Sequence, residues 1–312
     1  LKVMADEIFG RKNFIREIIW HKRTTRENRA AIGLSHDSVL VYAKKEAVLW
    51  KEHRNKLPSN NKGYSNIDND PRGEWRSIPF SAQGYRPNQM YDIETPTGEI
   101  HKPPKGRCWG ATEPEFRKYE KNNRVYFPRN GNGKPRIKRF KWEDEGLVPM
   151  SLWDTELAGS TESSKKEILN LFPDIEAFAT PKPEKLLNAI LTIATNENDL
   201  VLDSFLGSAT TSAVAHKMNR RCIGIEIGEH AQTHCQPRLQ KVVDGEEGGI
   251  SKAVNWQGGG GFKFIKLGHT VFDEYGCLNK EIKFPTLAAH IWYLETKQPI
   301  QKKEPSAFLG VH

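Results

Sequence analysis

The stretch from Thr180 to Glu226 constrains the fold more than any other part of the chain. Thr180-Pro181-Lys182-Pro183-Glu184 carries a helix-start pattern: a capping Thr, prolines near the first turn and an early acid. KLLNAILTIAT then predicts a helix with Leu186, Leu187, Ile190, Leu191 and Ala194 on one face. Asp199-Leu200-Val201-Leu202-Asp203 predicts a short buried strand, and SFLGSATTSAVAHKMNR a loop running into a helix. Arg221-Cys222-Ile223-Gly224-Ile225-Glu226 predicts a second strand. Helix, strand, glycine loop, helix and a strand ending in an acid form a βαβ unit, so an α/β fold with a parallel sheet is expected.

This unit also has a chemical reading. Asp203 ends the first strand, and the small residues around Gly207 let the backbone approach a ligand. The following helix offers free N–H groups at its start. Glu226 ends the next strand, 19 residues after Gly207, where a carboxylate meets two ribose hydroxyls in a dinucleotide-type fold. The three glycines of the nicotinamide fingerprint are missing. The pattern therefore favours an adenosine ligand without pyrophosphate over an oxidoreductase. A βαβ unit without ligand, with Glu226 merely solvated, stays open at this point.

Upstream, residues 1–9 predict a helix closed by Gly10, and Phe14 to Trp20 and Asp37 to Ala43 predict strands. The polar loop between these strands carries Lys22, Arg23, Arg26 and Arg29, and is long enough to be functional. From about Trp50 to Pro173 periodicity is weak, yet Trp50, Trp75, Trp109, Trp142 and Trp153 lie there. Such aromatics indicate an irregular domain or insert, not a linker. Charge is concentrated in the same region. The 312 residues hold 47 Lys+Arg and 39 Asp+Glu, a net +8. His101 to Lys141 alone holds 13 basic and 3 acidic residues (+10), while the others hold 34 and 36. Trp109, Phe116, Tyr119, Tyr126, Phe127 and Phe140 interleave with this charge, which suits a polyanion that offers bases to stack on. A solvated basic region packed by its own aromatics is the equal alternative.

No apolar run approaches the roughly 20 residues of a membrane helix, and no signal-peptide pattern opens the chain. Cys108, Cys222, Cys235 and Cys277 form no Cys-x-x-Cys pair, so neither a zinc knuckle nor a disulfide framework is indicated. A reduced, bacterial-type cytoplasm is the expected location. Near the end, Phe262 to Ile265 is expected as a strand and LAAHIWYLET as an amphipathic helix.

The segment Asp203-Ser204-Phe205-Leu206-Gly207-Ser208-Ala209-Thr210-Thr211 closely resembles the Asp-Pro-Phe-x-Gly-Ser-Gly-Thr-Thr motif of amino-group DNA methyltransferases, which bind S-adenosylmethionine. Phe178-Ala179-Thr180-Pro181-Lys182-Pro183-Glu184 resembles their second cofactor motif, built around Thr-x-Lys-Pro. With the cofactor half last, the order is that of the permuted β-group. Asp6 to Phe14, His36 to Lys44, Gly248-Gly249-Ile250-Ser251 and the WQGGGGF run sharpen the likeness to modification (Mod) subunits of type III restriction-modification systems, from Leu1 to about Gly268.

That resemblance implies a class I SAM-dependent methyltransferase sheet, Rossmann-like and permuted, with an inserted target-recognition domain. Residues 1–48 would be the C-terminal part of the catalytic half, 49–175 the target-recognition domain, 176–268 the SAM-binding half and 269–312 a C-terminal extension. The cofactor residues implied are Lys182, Asp203, Phe205, Gly207, Ser208, Thr210 and Glu226. Among them, Gly207 and its neighbours would face methionine and ribose, and Asp203 would organise the loop and the cofactor amino group. Glu226 would take the ribose hydroxyls and Lys182 the cofactor carboxylate. Ser204 and Ala209 replace the usual Pro and Gly. Ala209 adds a methyl where positive φ or close approach is needed, which predicts weakened binding.

The DNA-binding residues implied are Lys22, Arg23 and Arg26 in the loop, and Arg107, Arg124, Arg136, Lys138 and Arg139 in the basic segment. The family's catalytic Asp-Pro-Pro-Tyr does not occur, since Pro103-Pro104 has no acid before it and no aromatic after it. In the permuted order the signature precedes Leu1, so no catalytic residue is assigned and the chain alone is expected to be an inactive fragment. The implied activity is methylation of adenine N6 on a flipped base, without metal. Cytosine N4 methylation or an inactive DNA-recognition fragment are the alternatives. The partners implied are double-stranded DNA, the type III restriction (helicase-nuclease) subunit and a second modification subunit.

Overall fold

The computed structural model describes residues 1–26, 29–45, 47–59, 62–174 and 178–301. The chain forms two compact units, Leu1–Gly260 and Gly261–His312. In the first, helix α1 (Lys2–Phe9) ends at Gly10, whose φ of 83° turns the chain out of the helix. Strands β1 (Phe14–His21) and β2 (His36–Tyr42) pair antiparallel, with Trp20 opposite Asp37. Alternation along β1 turns Ile18 and Trp20 inward. Helix α2 (Ala47–His53) follows. The helix and both strands lie where the sequence pattern puts them, to within a residue.

The weakly periodic region is a folded insert. Its strands are β3 (Trp75–Pro79), β4 (Ser81–Gln83), β5 (Ile93–Glu94), β6 (Ile100–His101), β7 (Arg107–Trp109), β8 (Val125–Tyr126) and β9 (Arg136–Phe140), with helix α3 (Glu113–Lys121) between β7 and β8. They pair as β3-β9-β8, β4-β7 and β5-β6. Short strands cannot bury much by themselves, so flat rings carry the core. Phe80, Ile93, Trp109 and Phe116 are buried together, with Phe80 stacked on Trp109 at 6.0 Å between centroids. At the neck of the insert Leu57 and Leu147 exchange backbone hydrogen bonds of 2.9 and 2.8 Å. Strand β10 (Leu152–Trp153) then returns to the first sheet, parallel to β1, with Trp153 beside Trp20.

Helices α4 (Thr155–Ala158) and α5 (Thr161–Leu171) lead to the βαβ region. There α6 (Glu184–Ala194), β11 (Leu200–Asp203), α7 (Thr210–Lys217) and β12 (Arg221–Gly224) follow in the expected order, and a further helix, α8 (Gln236–Val243), comes after them. The two strands are parallel, Leu200 beside Arg221 and Asp203 beside Gly224. The fold is mixed α/β, as the pattern predicts.

Three details differ from the sequence pattern. Helix α6 starts at Glu184 instead of near Thr180, because Thr180 and Lys182 each precede a proline, which disfavours helical backbone there, and Pro183 itself caps the helix at φ −70°, ψ 144°. Nor does α6 bury one stripe. Leu186, Ala189 and Ile193 join the core of Ile18, Trp20 and Trp153, Leu191 joins Val214, Ala215 and Ile250, and Ala194 is exposed. Strand β11 is open on one side. Val201 packs with Cys222 against the Leu191–Val214 core, while Leu200 and Leu202 are 54% and 62% exposed. Among the described residues, only one face of this two-stranded ladder is covered.

In the second unit Phe272 and Leu278 bridge across a turn, and helix α9 (Phe284–Thr296) follows, as the tail pattern predicts. Residues 262–265 are not a strand, since among the described residues no strand pairs with them and an unpaired strand leaves its backbone polar groups unsatisfied. The boundary expected at 175/176 and residues 302–312 of the expected extension lie outside the described residues. So do residues 27 and 28 of the basic loop. Among the described residues no helix is long and apolar enough to cross a membrane.

Candidate functional site

Strand β11 delivers Asp203 to its carboxyl end, where open parallel sheets bind their ligands. Asp203 Oδ1 accepts the Phe205 N–H at 3.0 Å and closes the turn. Leu206 N–H donates to Ile225 O at 2.9 Å, and Gly207 N–H donates to Glu226 Oε2 at 2.7 Å. The loop and the terminal acid, read from spacing alone, therefore meet. Gly207 sits at φ 58°, and a Cβ there would lie 3.4 Å from the Phe178 ring, so backbone and space both ask for glycine. The Phe205 ring is 92% exposed at the rim.

Ala209 is fully buried at φ 60°, ψ 26°, a left-handed conformation that costs an L-residue roughly 1–2 kcal/mol. This is the position where the family motif has glycine. Ser208 and Thr210, two of the cofactor residues implied by the resemblance, are turned into the protein. Both are buried with their oxygens 3.3 Å apart, and Thr210 Oγ1 accepts from Arg238 at 2.9 Å. The helix start places the Thr210 side chain against Arg238 of α8, with the Ser208 hydroxyl beside it, so the pair braces the loop from behind.

Glu226 Oε1 accepts the Gly228 N–H at 2.9 Å and lies 3.0 Å from His230 Nε2. The Gly228 N–H, assisted by Gly207 and His230, outweighs burial and holds the Glu226 carboxyl below its ordinary value. The acid is thus ionised at neutral pH. Phe178 packs on His230 at 5.1 Å and so seats the 178–184 stretch beside the loop.

Lys182 is taken up by Asp37 of β2, at 3.1 Å, with its ammonium 5.3 Å from the Trp20 ring. Lys22 donates to the other oxygen of Asp37 at 2.5 Å. Burial pushes the Asp37 carboxyl up, but the hydrogen bonds from Lys22 and Lys182 outweigh it and hold the group below its ordinary value. Two residues on, Glu184 is buried and accepts from Lys217 at 3.0 and 2.8 Å, Arg238 at 2.9 Å and the Ile250 N–H at 3.0 Å. Its own N–H donates to Glu167 Oε2 at 3.0 Å, and burial pushes the Glu167 carboxyl up to about 7. Sequence reasoning took Glu184 for a helix-start acid and passed over Arg238.

The basic segment is partly turned inward. Lys138 is 2% exposed, with its ammonium 3.0 Å from Asp70 and in contact with Asp68, so it is removed from the DNA-facing set. Alternation along β9 explains this, because Lys138 shares the inward face with buried Phe140. Arg107 and Arg136 spend donors on Ser81 and Ser77, and Arg124 pairs with Glu143. Arg139 reaches Glu143 O only at 3.5 Å. By contrast, Lys105, Lys121, Arg129 and Lys134 are exposed and form no ion pair among the described residues. Arg129 and Lys134 flank the tip of the β8–β9 hairpin, where the Gly133 N–H donates to Pro128 O at 2.7 Å. In the β1–β2 loop, Arg26 and Arg29 are exposed and Arg23 lines a cleft with His21 and Leu34.

An apolar cleft of about 620 Å3 lies against α2, lined by Ile15, Ile18, Val41, Trp50 and Met150, and takes no residue from the glycine loop. Among the described residues no three His, Cys, Asp or Glu side chains are grouped to hold a metal.

Residues 1–236 match the family model described as DNA methylase. The chain is similar to the type III restriction-modification enzyme StyLTI Mod subunit of Salmonella typhimurium, 32% identical over 70% of this chain and 33% of that one. It is also similar to the type II methyltransferase M.EcaI of Enterobacter cloacae, 26% identical over 72% of this chain and 47% of that one. It thus spans between a third and a half of the length of these relatives. Among solved structures, the cytosine-N4-specific PvuII DNA methyltransferase overlaps 41% of this chain and 47% of that one at 21% identity, with a TM-score of 0.24.

Proposed function

The chain belongs to the DNA methylase family, whose model spans residues 1–236, and on that premise we propose that it binds S-adenosylmethionine and double-stranded DNA within a type III modification enzyme specific for adenine N6. The observation that carries the reading is the hydrogen bond between the Gly207 N–H and Glu226. It joins a glycine loop at the carboxyl end of one parallel strand to an ionised acid at the end of the next, the arrangement that suits an adenosine ligand.

The residues present fit that ligand. Gly207 leaves the backbone open to approach, Phe205 offers an exposed ring and Asp203 fixes the turn between them. Glu226 keeps acceptor capacity beyond its three present partners for ribose hydroxyls. Lys182 would take the cofactor carboxylate only by leaving Asp37. When bound, the cofactor supplies a methyl group carried on a sulfonium.

On the DNA side, residues 49–175 act as the recognition domain. Lys105, Lys121, Arg129 and Lys134 contact phosphates, and Arg26 and Arg29 of the β1–β2 loop add to that surface. Arg23 belongs to the same loop. Asp-Pro-Pro-Tyr is not among these 312 residues, so binding is the activity assigned to them. The partners that accompany this reading are the restriction helicase-nuclease subunit and a second modification subunit.

Calorimetry of the 312-residue chain with S-adenosylmethionine tests the first half. Binding is expected, and Glu226→Ala should weaken it at least about tenfold. No binding by the unaltered chain rejects the cofactor reading. For the second half, Arg129→Ala should lower affinity for duplex DNA and reduce the salt slope by about one. An unchanged slope removes Arg129 from the surface.

A further inference from the structure

The glycine loop holds a conformation its own sequence does not favour. Gly207 and Ala209 both have positive φ, 58° and 60°, and only the first is glycine. Strain of this kind persists where the surroundings over-determine the backbone. Here one helical segment does so. The π-turn Ala231–Cys235 leads directly into α8, and Arg238 lies three positions after Cys235, which puts both on one side. The Cys235 thiol donates to Gly207 O at 3.0 Å. Arg238 Nη1 donates to Ser208 O at 3.1 Å and to Thr210 Oγ1 at 2.9 Å. Two consecutive loop carbonyls are thereby drawn back into the protein. Arg238 is itself anchored, 1% exposed, with Nη2 on Glu184.

The geometry of a trans peptide gives this grip a consequence. Its C=O and N–H point in opposite directions, and the chain has no cis peptide among the described residues. With Gly207 O held by Cys235, the Ser208 N–H of the same peptide points away from Cys235. That N–H has no acceptor among the described residues. Ala209 N–H, in the next peptide, is spent on Leu206 O at 3.0 Å.

We propose that Cys235 and Arg238 are positioning residues that fix the Gly207–Ala209 backbone and keep the Ser208 N–H, on the side away from Cys235, as a donor for the ligand. The proposal rests on the cofactor reading above only in identifying that ligand. Removing the grip frees the strained Ala209 to leave the left-handed region, and the placement of that donor goes with it. A glycine at 209 has no such tendency. Loss of Arg238 and relief at 209 are therefore coupled.

The test uses the full 312-residue chain, with Arg238→Met, Cys235→Ala, Ala209→Gly and the double variant Arg238→Met/Ala209→Gly. Amide exchange over residues 203–211 is measured without ligand, and S-adenosylmethionine affinity by calorimetry. Arg238→Met should speed exchange of the loop at least about tenfold and weaken binding by a similar factor, and Cys235→Ala should do both to a lesser degree. Ala209→Gly should improve affinity more in the Arg238→Met background than alone. Unchanged loop exchange in folded Arg238→Met or Cys235→Ala chains overturns the proposal, as does an equal effect of Ala209→Gly in both backgrounds. If Arg238→Met does not fold, Cys235→Ala carries the same readouts. Failure of the unaltered chain to bind S-adenosylmethionine rejects the cofactor reading and leaves the exchange experiment to decide the grip.

Discussion

Two lysines are buried among carboxylates in different parts of the molecule, and they hold different things. Lys217, at the end of α7, meets Glu184 and Glu246, and through Glu184 it joins Arg238 and the Gly249–Ile250 turn. That cluster ends at the glycine loop. Lys138, in β9, meets Asp68 and Asp70 beside the Trp75 ring, and Asp70 also takes Arg72. That cluster fastens an irregular run, residues 66–72, to the β3–β9 ladder. A buried charge pair contributes little net stability but strongly selects one arrangement. In the cofactor half the arrangement selected is a ligand loop. In the insert it is a piece of chain with little regular structure of its own.

Breaking the comparison at its hubs gives the largest effect. Glu184→Ala leaves two buried cations with one fewer anion and should cost about 3–5 kcal/mol, read from the urea midpoint. Exchange in the β3–β9 ladder should stay as it was. Loss of protection there as well would mean that the two clusters are not independent.

Lys138→Met should cost less, about 1–3 kcal/mol, because Asp70 keeps Arg72 and the Trp75 face keeps an apolar neighbour. Exchange over residues 62–74 should quicken while duplex DNA affinity holds. A salt-dependent fall in that affinity would return Lys138 to the DNA surface.

The smallest effect is a pH dependence of opposite sign in the two regions. Arg72, with backbone and Lys138 hydrogen bonds, holds the Asp70 carboxyl far below its ordinary value of 3.8. Its contribution is present above about 4 and is lost as pH falls further. Burial raises Glu167 from 4.5 to about 7. Its contribution is present below about 4.5 and is lost as pH rises through 7. Local exchange free energies between pH 3 and 8 should therefore fall toward acid near Asp70 and toward neutrality near Glu167. Asp70→Asn and Glu167→Gln should each flatten one slope only, and parallel slopes in both regions would refute the assignment.

Much of the frame was legible in residue order. The β1–β2 pair follows from two apolar, β-branched runs, and the βαβ unit from apolar strands flanking a glycine turn. Gly207 and Glu226 could be matched because a βαβ crossover returns the chain to the adjacent strand. Directions of side chains were less accessible. Thr210 sits in the expected motif yet faces α8, and Lys138 lies in the most basic segment yet faces Asp70. The start of α6 was misread because Thr180 offered a cap while Pro183 fixed an extended backbone just before Glu184.

The sequence by itself determined the first strand pair, the order of the βαβ unit, the parallel pairing of β11 with β12, the meeting of loop and acid, and the family. These rest on local patterns, two residues apart in strands and three or four in helices, and on a crossover of limited length. Only the tertiary structure decided which charges are spent inside. Arg238 finds Thr210 from 28 residues away and Glu184 from 54, and Lys138 finds Asp70 from 68. Such partners are chosen by packing, since a buried ion must pair with whatever opposite charge the folded chain brings within reach.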